Sequence, residues 1–108
     1  MSGIAVEAEL TDKLGRFPPE VEVAAFRIVQ EALVNLRRHS GSRTGRVQIA
    51  EENGRLKVRV SDQGKGIPQG SREGLGIKGM RDRVLRLGGQ FALTSNGQGT
   101  VVEARLPI

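Results

Sequence analysis

The 108-residue sequence predicts an α/β two-layer sandwich, a mixed, mostly antiparallel sheet covered on one face by helices. Two observations carry this. Apolar residues recur at helical spacing in two segments and at alternate positions in five, in the order β-α-β-β-α-β-β. Glu52-Asn53-Gly54 and Asn96-Gly97-Gln98-Gly99 each join neighbouring strand segments, as hairpin turns do. No repeat, linker or low-complexity stretch divides the chain, so residues 1–108 read as a single domain.

Ile4, Val6, Ala8 and Leu10 alternate with Ala5, Glu7 and Glu9, the period of a half-buried strand. A turn-rich connection runs from Leu14 to Pro19. Pro18 and Pro19 open a helix, because a first turn has N–H groups without partners and tolerates a residue that lacks one. Glu20 and Glu22 suit the positive end of its dipole. The helix is expected from Pro19 to His39. At 100° per residue, Val21, Ala25, Ile28, Val29, Ala32 and Leu36 form a core face, and Arg27, Glu31, Asn35 and Arg38 a separate polar stripe. Ser40, Gly41 and Ser42 end it.

Arg46 to Glu51 and Arg55 to Ser61 then read as paired strands with Val47, Ile49, Leu56, Val58 and Val60 on one face. Asp62 to Glu73 is a loop rich in glycine and proline. Leu75 to Leu87 is a second helix with Ile77, Met80, Val84 and Leu87 apolar, stopped by Gly88 and Gly89. Gln90 to Ser95 and Thr100 to Leu106 form the closing hairpin.

Composition removes several classes of function. The absence of cysteine excludes a disulfide scaffold, a thiolate metal site and cysteine catalysis. With a single histidine, a zinc site is not expected. No apolar run approaches the roughly 20 residues of a membrane span, and no signal-peptide pattern precedes the first turn. Taken alone, the excess of 17 Lys+Arg over 12 Asp+Glu suggests nucleic-acid binding. The 3 aromatics, all phenylalanine, are too few for a base-stacking platform of the single-strand-binding kind.

Four features carry chemistry. Glu31, Asn35, Arg38 and His39 put a carboxylate, an amide oxygen and a cation together on one helix, a set that could hold hydrated Mg²⁺ beside phosphate. The same row also reads as a solvated helix face. Asp62-Gln63-Gly64-Lys65-Gly66-Ile67 follows a strand directly. Its aspartate could accept a hydrogen bond from an exocyclic amine such as adenine's, and its glycines allow close approach to backbone. Equally, Asp and Gly favour an ordinary turn. Gly74-Leu75-Gly76-Ile77 enters the second helix, where backbone N–H groups attract phosphate. The spacing is neither a Walker A loop nor a dinucleotide fingerprint. Gly97-Gln98-Gly99-Thr100, alone, is a hairpin turn.

Taken in order and spacing, these segments resemble the ATP-binding catalytic domain of bacterial sensor histidine kinases, in the GHKL superfamily that also holds gyrase and MutL. Glu31-Ala-Leu-Val-Asn35-Leu-Arg-Arg38-His39 is similar to the N box, Asp62-Gln-Gly64-Lys-Gly66-Ile67 to the G1 box, and Gly74-Leu75-Gly76-Ile77 to the G2 box. Gly99-Thr100 matches the closing Gly-Thr element. Phe26-Arg-Ile-Val-Gln-Glu-Ala-Leu33 and Gly79-Met-Arg-Asp-Arg-Val84 with Leu87-Gly-Gly89 resemble segments of the subfamily that pairs with NarL/LuxR-type response regulators. The likeness runs from Ile4 to Pro107.

The resemblance implies the Bergerat/GHKL ATPase fold, ATP as ligand and Mg²⁺ as cofactor. It implies that Asn35 coordinates the metal, with Glu31 positioning water or completing the shell. Arg38 would contact phosphate, and His39 would flank the nucleotide. Asp62 would accept the adenine amine, with Gly64, Gly66 and Ile67 against the base. Gly74, Leu75 and Gly76 would form lid and phosphate contacts, and Thr100 would support Asp62. Lys78 and Arg81 are candidates to face phosphate.

The implied partners are a phosphoacceptor and dimerisation helical domain of the same kinase and a response regulator of NarL/LuxR type, with no direct nucleic acid. The isolated domain is expected to be a monomer, the parent kinase a homodimer, and the location cytoplasmic. Autophosphorylation is not expected of this domain alone, because no phosphoacceptor segment is present in the sequence. The alternatives are an anti-sigma-factor serine kinase of the same superfamily and a non-catalytic nucleotide- or protein-binding module.

Overall fold

The computed structural model describes residues 5–10, 17–35, 37, 44–63, 76–96 and 99–108. Along the chain these form β1 (Ala5–Leu10), α1 (Pro19–Asn35), β2 (Thr44–Glu52), β3 (Arg55–Asp62), α2 (Ile77–Arg86), β4 (Gln90–Asn96) and β5 (Gly99–Pro107). The strands make one sheet in the order β1-β2-β3-β5-β4. Among the described residues only the β1–β2 pair is parallel, so the sheet is mixed and mostly antiparallel, as expected.

Alternation along the strands sorts the two faces. On β3, Leu56, Val58 and Val60 are buried, and on β5, Val102, Ala104 and Leu106 are buried. Their neighbours Arg55, Lys57, Arg59, Glu103 and Arg105 therefore stand on the opposite face. Both helices lie on the apolar face: α1 packs on β3 and β5, and α2 on β4, β5 and α1. Ile28, Val58, Val84 and Leu106, all but inaccessible to solvent, mark the centre of this layer.

Helix α1 begins as the two prolines require. The Pro18 carbonyl accepts hydrogen bonds from the Val21 N–H at 2.9 Å and the Glu22 N–H at 3.2 Å, and Pro19, which has no N–H to leave unpaired, is the first helical residue. Val21, Ala25, Ile28 and Ala32 are buried and Val29 packs against them, as the helical wheel predicts. Ala24 is buried as well, one position outside the predicted face. The helix is described to Asn35; Leu36, Arg38 and His39 lie outside the described residues.

The β2–β3 turn is tighter than the three-residue link that the sequence suggests. Glu52 pairs with Arg55, leaving Asn53 and Gly54 as a two-residue loop with φ of 54° and 73°. Positive φ at both central positions is the primed turn that Asn-Gly favours, because its twist matches that of the flanking strands. Nothing lies within 4 Å of a Cβ built on Gly54, so alanine there meets strain but no clash. Gly54→Ala is expected to lower stability by about 1 kcal/mol, read as a reduced urea midpoint at unchanged slope.

Helix α2 starts two residues later than the sequence suggests and ends at a Schellman motif. Gly88 (φ 80°) and Gly89 return hydrogen bonds to the carbonyls of Leu85 at 3.0 Å and Val84 at 2.9 Å. At the other end of the chain's sheet, β4 and β5 pair up to Asn96 and Gly99, so the hairpin turn shortens to residues 97–98, which lie outside the described residues. Among the described residues no helix is long and apolar enough to cross a membrane.

Candidate nucleotide site

Five of the predicted site residues fall within the described residues: Glu31, Asn35, Asp62, Gly76 and Thr100. Arg38, His39, Gly64, Gly66, Ile67, Gly74 and Leu75 lie outside them, as does most of the loop after β3.

Glu31 and Asn35 are one helical turn apart on α1 and so share a face. They differ in exposure: Glu31 is half-buried, whereas Asn35 is 6% exposed. A buried amide must be hydrogen-bonded, and Asn35 does have a partner. Arg27, a turn earlier in the same row, is exposed. The stripe is thus solvated at its beginning and passes into the protein where the N-box residues begin.

Glu31 meets the start of α2. A Cβ on Gly76 would lie 2.6 Å from Glu31 Oε2 and 3.2 Å from its Cδ, so the bare backbone of Gly76 is what admits the carboxylate. Gly76 is the N-cap of α2, in the left-handed region at φ 76°, and among the described residues no side chain caps the helix. A carboxylate beside uncapped N–H groups is favourable in the field of the helix. The contact joins the N-box stripe to the G2 segment.

The second junction lies at the strand ends. Asp62 closes β3 on the same side as Val60, half-buried, and it too has a partner. Thr100 is 6% exposed on the helix-facing side of β5, one step beyond the Ser61–Val101 pair, which brings it level with Asp62. Its hydroxyl is 3.2 Å from that of Ser95, its cross-strand partner on β4. Sequence reasoning missed Ser95; the signal was there, since Ser95 and Thr100 bracket the turn residues symmetrically.

Gly99 was also read only as part of a turn and the Gly-Thr element. A Cβ on it would run into the Asp62 carbonyl oxygen and lie 3.1 Å from Gln63 Cα. Gly99 therefore lets β5 close against the chain just where β3 leaves the sheet.

Around α2, Lys78 is exposed, whereas the Arg81 guanidinium stands 5.4 Å from the centre of the Phe91 ring. That distance is in cation–π range, so Arg81 also contacts β4. Among the described residues no three His, Cys, Asp or Glu side chains group as a metal site. Glu31 and Asn35 together offer two hard oxygen donors, the number Mg²⁺ commonly takes from protein when phosphates and water supply the rest.

Residues 20–108 match the family model of histidine kinase-, DNA gyrase B-, and HSP90-like ATPases. The chain is 38% identical over 110 residues to the signal transduction histidine-protein kinase/phosphatase DegS of Brevibacillus brevis, covering 99% of this chain and 28% of that protein. It is 38% identical over 91 residues to the sensor histidine kinase LiaS of Bacillus subtilis, covering 82% of this chain and 25% of that protein. Among solved structures, the blue-light activated histidine kinase EL346 of Erythrobacter litoralis superposes with a TM-score of 0.82 at 27% identity, over 99% of this chain and 36% of that one. The chain thus spans about a quarter of the length of the curated relatives. It belongs to the histidine kinase-, DNA gyrase B-, and HSP90-like ATPases, and among them to the ATP-binding catalytic domains of sensor histidine kinases.

Proposed function

We propose that this single domain binds Mg-ATP between α1, the Asp62 end of β3 and the start of α2, and presents the γ-phosphate to a histidine on a separate helical domain of the same kinase. The observation that carries the reading is the Glu31–Gly76 contact. It sets a carboxylate at the helix terminus where the nucleotide phosphates would lie. Carboxylate and phosphate repel unless a cation stands between them, so the pairing favours a metal-bridged ligand over free phosphate.

In this reading Asn35 would hold the metal, with Glu31 positioning water or completing its shell, Arg38 contacts phosphate, His39 flanks the nucleotide, and Asp62 accepts the adenine amine. Gly64, Gly66 and Ile67 lie along the base, Gly74, Leu75 and Gly76 supply lid and phosphate contacts, and Thr100 supports Asp62. Bound Mg²⁺ supplies charge neutralisation at the phosphate oxygens. The protein's part is positioning and electrostatics, as for phosphoryl transfer in general. The accepting imidazole nitrogen attacks the γ-phosphorus with its lone pair, the bond to the β–γ bridging oxygen breaks, and ADP leaves. The base that takes the imidazole proton belongs to the helical partner.

Docking of that partner is supported by apolar surface left open on α1, where Phe26 is 65% exposed and Val23 49%. Segments 26–33 and 79–89 support the finer reading, a cytoplasmic catalytic unit of a homodimeric kinase that passes phosphate to a NarL/LuxR-type regulator. The test mixes the domain and γ-labelled Mg-ATP with a histidine-bearing helical hairpin of such a kinase. Label on the hairpin histidine is the expected result. Binding of neither ATP nor ADP at millimolar nucleotide, measured by calorimetry, overturns the reading. Label transferred instead to a serine of an anti-anti-sigma protein would place the domain with the serine kinases.

A further inference from the structure

The open face of the sheet carries a cationic cluster that the nucleotide site does not use. Lys57 on β3 lies directly opposite Arg105 on β5, and Arg105 in turn opposite Gln90 on β4. Two like charges in directly opposed positions destabilise a sheet pair. Arg55 lies two residues from Lys57 on the same face, beside the Asn53-Gly54 turn. These residues, with Glu52 and Asn53, line a cavity of about 180 Å³.

The local charges do not balance. Glu52 is 3.5 Å from Lys57 Nζ, and Arg105 has only a loose contact to Glu103 at 3.9 Å. Arg55 Nη1 is buried without a hydrogen-bond partner among the described residues. A buried donor left unpaired is costly, and a charged one more so. Among the described residues, Arg55, Lys57 and Arg105 against Glu52 and the loosely placed Glu103 leave an excess of positive charge around one concavity, with amide donors from Gln90 and Asn53 at its rim.

We propose that this cavity is an anion site for a phosphate-class dianion, inorganic phosphate or the terminal group of a phosphomonoester. A phosphomonoester near neutral pH carries about 1.5 to 2 negative charges and several acceptor oxygens, which suits both the positive charge excess and the unpaired donor. The guanidinium groups of Arg55 and Arg105 supply forked donors suited to phosphate oxygens, and Lys57 supplies a point charge. Arg55 and Asp62 are at opposite ends of β3, roughly 23 Å apart along an extended strand, so the site is separate from the nucleotide pocket.

The test follows amide chemical shifts of the ¹⁵N-labelled domain in titrations with inorganic phosphate, with a simple phosphomonoester, and with sodium chloride at matched ionic strength. Saturable shifts centred on Arg55, Lys57, Gln90 and Arg105 are expected with phosphate and not with chloride. Arg105→Gln should weaken the response about 10-fold, the loss of one charge-assisted pairing. A clearly stronger response to the ester assigns the source as a phosphorylated metabolite or side chain, and equal responses assign free phosphate. Shifts that match those of chloride, or that survive Arg105→Gln undiminished, overturn the proposal. A circular dichroism melt of Arg105→Gln, expected at or above that of the parent, separates loss of the site from loss of the fold.

Discussion

Gly99→Ala is expected to destabilise the domain by about 3 kcal/mol, combining overpacking with strain in a backbone region that side chains avoid. The added methyl would enter the Asp62 carbonyl and press on Gln63 Cα, and the φ of 144° is one that L-residues rarely adopt. Backbone atoms at a strand end cannot swing aside as the tip of a long side chain can. In a domain of this size the loss corresponds to a fall in melting temperature of about 15 °C. Differential scanning calorimetry measures it directly. A melt within a degree or two of the parent would mean that the close approach of β5 to the end of β3 is not a constraint on the fold. Nucleotide affinity should fall in the same variant, because the displaced segment is the one that carries Asp62.

Asp62→Asn should weaken ATP binding about 100-fold, the scale of a hydrogen bond to a charged acceptor that is lost and left unpaired. The sign of the effect on GTP is the sharper test. A carboxylate that accepts from the adenine amine faces an oxygen when guanine takes the same place, so the parent should prefer ATP strongly. Asparagine can turn its N–H₂ toward that oxygen. The ATP-to-GTP preference should therefore collapse toward unity, read by competition against a fluorescent nucleotide. An unchanged preference would remove Asp62 from base recognition and leave it as a strand-end residue.

Much of the fold is written locally, and the residues show why. Asn53-Gly54 announces its turn because few pairs adopt two successive positive φ values. Pro18-Pro19 and Gly88-Gly89 bound their helices through backbone donors and acceptors that any reader of the sequence can count. Ala24 was missed because alanine fits a core face and a solvated face equally well, and only the approach of the sheet decides. The site is legible to a lesser degree. Glu31 and Asn35 share a face by helical geometry alone. That Gly76 must be bare to admit Glu31, or Gly99 to admit the Asp62 carbonyl, depends on segments far apart in sequence. Arg81 likewise shows a contact that the sequence does not announce, the Phe91 ring of another element beneath its guanidinium.

The parallel β1–β2 pair decides which strand borders the sheet. Without β1, the nine-residue β2 would offer a long row of open backbone donors and acceptors to any passing strand. β1 takes up that row and presents a six-residue border in its place, with Glu7 and Glu9 exposed. Glu9 is held by Arg46 and Gln48 of the strand it covers. A short, acidic border is a poor template for a further chain, because an incoming strand must accommodate fixed negative charge for only a few hydrogen bonds. The first strand, which lies ahead of the family-matched span at residue 20, replaces β2 as one border of the sheet and leaves β4 as the other.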